Sequence, residues 1–167
     1  PIPAVIQPPT RRLIHACERH EEPRNPRKEA AWSSWDALYD AGVIPCHYWK
    51  YERDARSIGD RRALPYLKDV LRFAMNQAVG EDIIVLTNDD VVLHPDLPEV
   101  LKAHVAIFGP CCAHRCDFQP RRMPKLTESP GVFVQRGARH MGRDLFAFTK
   151  PWLESHCEEI GDFTLGA

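Results

Sequence analysis

The chain has 167 residues, 44% hydrophobic and 27% charged, which suits one globular domain with its own core and leaves little room for a second. Its net charge of -1 at pH 7 argues against a dedicated nucleic-acid binder, which carries a basic surplus. No apolar run approaches the roughly 18 residues a membrane-spanning helix needs, and no charged-then-apolar leader follows Pro1, so a cytoplasmic protein is expected.

Fifteen prolines punctuate the sequence, clustered in residues 1–9, 23–26 and 120–130, and these clusters read as an irregular entry, a loop and a long connection. The first ordered run is 13–16, followed by a polar loop. A helix is expected over 28–39, closed by Gly42, and then a strand over 44–51. A charged loop covers 52–62. The clearest helix is 64–79, where Leu67, Val70, Leu71, Ala74 and Ala78 share one face, Pro65 sits in the first turn and Gly80 ends it.

Ile83-Ile84-Val85-Leu86 is a continuous apolar run, the pattern of a central strand buried on both faces. It stops at Thr87-Asn88-Asp89-Asp90. A second helix begins after Pro95, with Asp96 as N-cap and Glu99 completing a capping box. Residues 106–112, 131–135 and 144–148 read as strands and 151–159 as a short helix. Strands alternating with helices define an α/β sheet, in which ligands bind beyond the carboxyl ends of the strands. The acidic turn sits at one of those ends.

Six cysteines (Cys17, Cys46, Cys111, Cys112, Cys116, Cys157) in a chain of this size and without a leader read as reduced thiols. Cys111, Cys112, His114 and Cys116 lack the second ligand pair of a structural zinc site, and small buried side chains are expected instead. Residues 115–143 hold seven Arg/Lys against two acids, a basic patch suited either to a phosphorylated small molecule or to balancing acidic neighbours.

Two carboxylates and an amide at the mouth of a buried strand repel one another unless a cation joins them. Mg²⁺ or Mn²⁺ is the natural partner, being hard and oxygen-seeking; an Asx-type turn that caps the strand is the plainer alternative. The wider segment 82–96 resembles the stretch around the Asp-x-Asp motif of GT-A glycosyltransferases, in which a hydrophobic strand runs into Asp-x-Asp or Asn-x-Asp and Pro-Asp opens the next helix. Gly142-Arg143-Asp144-Leu145-Phe146-Ala147-Phe148 is similar to a later strand of that group, and Gly161-Asp162-Phe163-Thr164-Leu165-Gly166 to its Asp-Phe turn. Gly59-Asp60-Arg61-Arg62 resembles the segment preceding the helix before the metal strand.

The resemblance implies a mixed, Rossmann-like α/β sheet flanked by helices, forming one GT-A-like domain over 1–167 whose relatives usually continue past its end. It implies a nucleotide-sugar donor, an acceptor the sequence does not name, and a Mn²⁺ or Mg²⁺ ion. Asp90, aligned with the last motif position, would contact the metal that bridges the donor diphosphate; Asn88 and Asp89 would contact ribose or metal. Asn88 stands where the motif more often has Asp, which puts the strength of metal binding in question. Arg61, Arg62 or members of the 121–143 basic run would clamp phosphate. Asp144 is the leading candidate for base or acceptor contact, and Asp162 the second.

His94 and His140 are candidates for a metal shell or for solvated loop positions, and Trp32, Trp35 and Trp49 for stacking or core packing. Three other readings stay open: a nucleotide- or sugar-binding module without turnover, a metal-dependent nucleotidyltransferase or phosphohydrolase, and an interaction protein.

Overall fold

A computed structural model describes residues 11–18, 25–48, 66–119 and 122–161. Five strands, β1 (Leu13–Glu18), β2 (Ile44–Tyr48), β3 (Ile83–Thr87), β4 (Cys111–Asp117) and β5 (Ala138–Thr149), form one sheet in the order β2-β1-β3-β5-β4. β1 pairs in parallel with both β2 and β3, while β5 runs antiparallel between β3 and β4. The fold is therefore α/β with a mixed sheet flanked by helices. Among the described residues no helix is long and apolar enough to cross a membrane.

Each helix follows from local chemistry. α1 (Pro26–Asp40) starts where the Asn25 side chain accepts hydrogen bonds from the N–H groups of Arg27 and Lys28, with proline in the first turn. It ends before Gly42, whose φ of 97° suits glycine. α2 (Leu67–Gln77) turns Val70, Leu71 and Ala74 inward. α1 packs on the sheet face carrying Leu13, Cys17, Ile83 and Val85, together with α3 (Leu97–Phe108). α2 and α5 (Lys150–His156) cover the opposite face, over Ile14, Ala16, Ile84 and Leu86. β3 is buried along its whole length, as its unbroken apolar run requires. Each such aliphatic side chain contributes about 1.5–3 kcal/mol on full burial.

Several elements differ from the sequence expectation. Residues 106–108 continue α3 instead of opening a strand; the helix stops only at Gly109, with φ of 78°, and Pro110 follows. The strand begins at Cys111 and runs on to Asp117. Residues 131–135 lie in α4 (Pro130–Arg136), because Ser129-Pro130 opens a helix that outweighs the strand preference of Val132 and Val134. Asp96 precedes α3 but makes no side-chain cap, and Glu99 pairs with Lys102 at 2.8 Å, so the capping box does not form. β5 is twelve residues long and contains the expected strand 144–148 in its second half.

All six cysteines are free. Cys17, Cys46 and Cys157 are buried, and burial pushes the Cys46 thiol up to about 11, but Cys112 is exposed rather than buried because β4 is the edge strand. Trp32 and Trp35 are core residues; Trp49 lies outside the described residues, as do Arg61, Arg62 and Asp162.

Candidate functional site

From β1 the chain crosses through α1 to β2 on one side. From β2 it returns through α2 on the other face to β3, on the far side of β1. The carboxyl ends of β1 and β3 thus flank a topological switch point, the place where open α/β sheets form a ligand crevice. Asn88-Asp89-Asp90 leaves β3 at this point. The chain after it is pinned to α1: Trp35 Nε1 donates to the Val91 carbonyl at 2.8 Å, and Leu93 N donates to Ser34 Oγ at 3.0 Å. Both contacts are buried, so the acidic turn is held from below by the core.

The turn meets two cations and a third carboxylate. Lys28, in the first turn of α1, forms an ion pair with Asp89. Thr87 pairs with Leu145 in the β3–β5 register, and one step further Asn88 Nδ2 donates to Asp144 Oδ1 at 2.9 Å. Arg115 Nη1 donates to the same oxygen at 3.2 Å and lies 3.8 Å from Asp90 Oδ1, while its Nε donates to Asp117 Oδ1 at 2.8 Å. Partial burial lowers the Arg115 pKa, but hydrogen bonding to Asp117 and the charges of Asp144, Asp117 and Asp90 outweigh it, so the guanidinium stays charged. Arg115 reaches the turn because β4 carries register shifts on either side of His114, irregularities that re-aim neighbouring side chains.

Of the three turn residues Asp90 is the least engaged, since its contact with Arg115 is longer than a hydrogen bond. Asn88 gives its amide to Asp144 and keeps its carbonyl oxygen for other partners. Among the described residues no three His, Cys, Asp or Glu side chains converge as a ready-made cation cage. The oxygens of Asp90 and Asn88 still suit a hard cation of the Mg²⁺ or Mn²⁺ type, which takes much of its shell from water and phosphate.

His94 is held away from the turn, its Nε2 donating to the Glu128 carbonyl at 2.9 Å and its Nδ1 accepting from Asp96 N at 3.1 Å. His140 Nδ1 pairs with Asp117 Oδ2 at 2.9 Å. Three of the seven basic residues of the expected patch, Arg122, Lys125 and Arg136, line a surface hollow of about 560 Å³ together with Glu128, and that lining includes none of Asn88, Asp89 or Asp90.

The structure therefore brings together Asn88, Asp89, Asp90 and Asp144, all legible beforehand, and adds Lys28, Arg115 and Asp117; His140, a sequence candidate for a metal shell, pairs with Asp117 instead. Arg115 and Asp117 stand in the sequence only as members of a charged run, and Lys28 only as the start of a helix. Neither a protein-family model nor a curated protein matches the chain.

Proposed function

We propose that this chain is a GT-A-type glycosyltransferase domain that binds the diphosphate of a nucleotide-sugar at the carboxyl ends of β1 and β3 and transfers the sugar to a hydroxyl acceptor. The observation that carries this reading is the acidic turn Asn88–Asp90 at the switch point, flanked by Lys28 and Arg115. Carboxylate and amide oxygens beside two fixed cations match what a metal–diphosphate pair presents. In this reading Asp90 and Asn88 hold Mn²⁺ or Mg²⁺, Asp89 supplies a further carboxylate, and Lys28 and Arg115 lie within reach of phosphate oxygens. When bound, the cation neutralises the departing diphosphate.

A binding module without turnover is the second reading. The engagement of Asp89 by Lys28 favours it, because a carboxylate already paired is a weaker metal ligand. The test is a thermal-shift titration with nucleoside diphosphates and nucleotide-sugars, with and without Mn²⁺, on wild type and Asp90→Ala. A metal-dependent rise in Tm for one nucleotide, lost in the variant, is the expected outcome. Metal-dependent release of nucleoside diphosphate then separates transfer from binding alone, and release of pyrophosphate would point to nucleotidyl transfer. No shift with any nucleotide sinks the donor-site reading.

A further inference from the structure

The basic run after β4 carries charges that the donor reading leaves unused. Arg122, Met123, Pro124, Lys125, Glu128 and Arg136 line one surface hollow of about 560 Å³, within the size range of small-ligand sites. Three cations stand there against one acid, a surplus of two positive charges, on a chain whose overall charge is -1.

These charges are not spent on one another. Glu128 Oε2 lies 3.5 Å from Arg136 Nη1, while Glu128 Oε1 accepts from the Lys125 backbone N–H at 2.9 Å. The one carboxylate is thus divided between Arg136 and a main-chain donor. Among the described residues no carboxylate pairs with the side-chain charge of Arg122 or Lys125. Like charges around one concavity repel one another, and an anion between them turns that repulsion into attraction.

Backbone bonds hold the three cations in place. Arg122 N donates to the Gln119 carbonyl at 2.7 Å. Glu128 N donates to the Lys125 carbonyl at 2.8 Å, closing a turn with the Glu128 carboxylate folded back on Lys125 N. Arg136 stands in the last turn of α4. His94 donates to the Glu128 carbonyl and meets the Phe133 ring edge-on at 5.4 Å between centroids, so it anchors both the loop and the helix. Arg122, Lys125 and Arg136 are fixed at their backbones and exposed at their side chains, while Pro124 is buried beneath them.

The lining selects among anions. A carboxylate brings one charge and two oxygens. A phosphate monoester brings nearly two charges and three terminal oxygens, one for each cation. The arginines offer planar forks that meet two oxygens at once, and Lys125 adds a point charge. Inorganic phosphate would fill only a small part of the hollow, whereas Met123 and Pro124 supply an apolar wall for an organic body. A long polyanion would need the basic surplus to extend over the surface, and the net charge of -1 does not provide it. We propose that this hollow binds a small organic phosphate monoester, held by Arg122, Lys125 and Arg136 without a metal ion. The site stands apart from the donor reading, since its lining includes none of the acidic-turn residues.

The test titrates the ¹⁵N-labelled full chain in EDTA, at constant ionic strength, with phenyl phosphate, inorganic phosphate, benzoate and chloride. Backbone amide and arginine Nε–H signals report the binding. The expected result is saturable shifts within residues 122–136, with phenyl phosphate the tightest of the four probes. Arg122→Gln, Lys125→Gln and Arg136→Gln should each weaken it by about fivefold, and Lys125→Arg should retain it. Shifts that never saturate, or that chloride reproduces, mean an adventitious ion only and overturn the site. Benzoate binding as tightly as phenyl phosphate overturns the phosphate class. Saturable shifts at Asn88–Asp90 in place of 122–136 overturn the site and assign the phosphate to the acidic turn. Metal-dependent nucleotide binding with no phosphate response in EDTA overturns the hollow and leaves the donor reading intact. The reverse pattern supports the hollow and overturns the donor reading alone.

Discussion

Thr87 Oγ1 lies 2.7 Å from His15 Nε2, so the last residue of β3 before the acidic turn is tied to a fully buried histidine on β1. The chain of contacts continues from His15 Nδ1 to the Tyr39 hydroxyl at 2.9 Å, and from there to His47 Nε2 at 2.9 Å. It joins β3, β1, α1 and β2 at the end of the sheet where the candidate site sits. Polar groups this deep in a core are tolerated because each finds a partner, and the same pairing fixes how the strands meet.

This buried pair predicts a pH dependence of stability. Burial, with a smaller contribution from His47, pushes the His15 pKa down from 6.5 to about 3. The folded state therefore keeps His15 neutral while the unfolded chain binds a proton below pH 6.5. The resulting stability is present above 6.5 and is lost as pH falls toward about 3, at up to about 1.4 kcal/mol per pH unit. Urea unfolding between pH 7 and 4 should show this slope in the wild type and a shallower one in His15→Gln. Equal slopes would mean that His15 titrates alike folded and unfolded.

Among the described residues Arg115 is the one cation shared by Asp90, Asp117 and Asp144. Arg115→Met keeps much of the side-chain volume and removes the charge, leaving a nearly buried Asp144 beside like charges. Folding stability should fall by about 1–3 kcal/mol. Mn²⁺ should then raise the Tm of the variant more than that of the wild type, since the released carboxylates need a cation. An equal Mn²⁺ response in both proteins would show that Arg115 and the metal do not compete for these oxygens.

What could be read in advance divides along physical lines. β3 and α2 were legible because each declares its burial in sequence, one by an unbroken apolar run and the other by a one-sided face. The edge strand β4 was not, since Cys111–Asp117 is half exposed and has no regular alternation of apolar and polar residues. α4 misleads through its β-branched valines, whose preference yields to the proline that opens the helix. In the site, Asn88–Asp90 and Asp144 stand out because they interrupt or precede apolar strands. Lys28 and Arg115 reach Asp89 and Asp144 across 61 and 29 residues, one through the packing of α1 on the sheet and the other through the register shifts of β4, and no local pattern encodes either.

At the opposite end of β3, Asp82 serves as a clamp. Its carboxylate accepts from Arg12 N at 3.2 Å, Arg12 Nε at 3.0 Å and Val79 N at 2.8 Å, tying the start of β1 to the turn before β3. Burial works against its ionisation, but these bonds prevail and lower its pKa. Its contribution is thus present above the ordinary carboxylate range and is lost as pH falls through it. Asp82→Ala leaves backbone N–H groups unpaired and should cost about 1–3 kcal/mol. That corresponds to a Tm decrease of roughly 2–4 °C per kcal/mol for a chain of this size. An unchanged Tm would mean that water replaces the carboxylate at no cost.

Two glycines, one in the first turn of α4 and one just past its end, should respond to alanine with opposite signs. Gly137 joins α4 to β5 with φ of -90° and ψ of 154°, a backbone any residue can adopt, so only space decides its outcome. A Cβ there would meet Cys116 Cβ and Phe118 Cζ at 2.7 Å and the Phe133 carbonyl at 2.9 Å. The phenyl ring can swing aside, but the Cys116 Cβ and the carbonyl belong to the frame of β4 and α4. Gly137→Ala should therefore cost about 1–3 kcal/mol by overpacking. Asp117 pairs with Ala138 next to this contact, so the same shift should disturb the Asp117–His140 hydrogen bond, visible in the His140 ring resonances. Gly131, in the first turn of α4, has only Ser129 Oγ nearby, at 3.9 Å. Gly131→Ala adds no clash and removes freedom from the unfolded chain, so it should stabilise by about 0.4–1 kcal/mol. Chemical denaturation of the two variants decides the matter. If both are neutral, β4 does not press against the end of α4 as closely as these distances require.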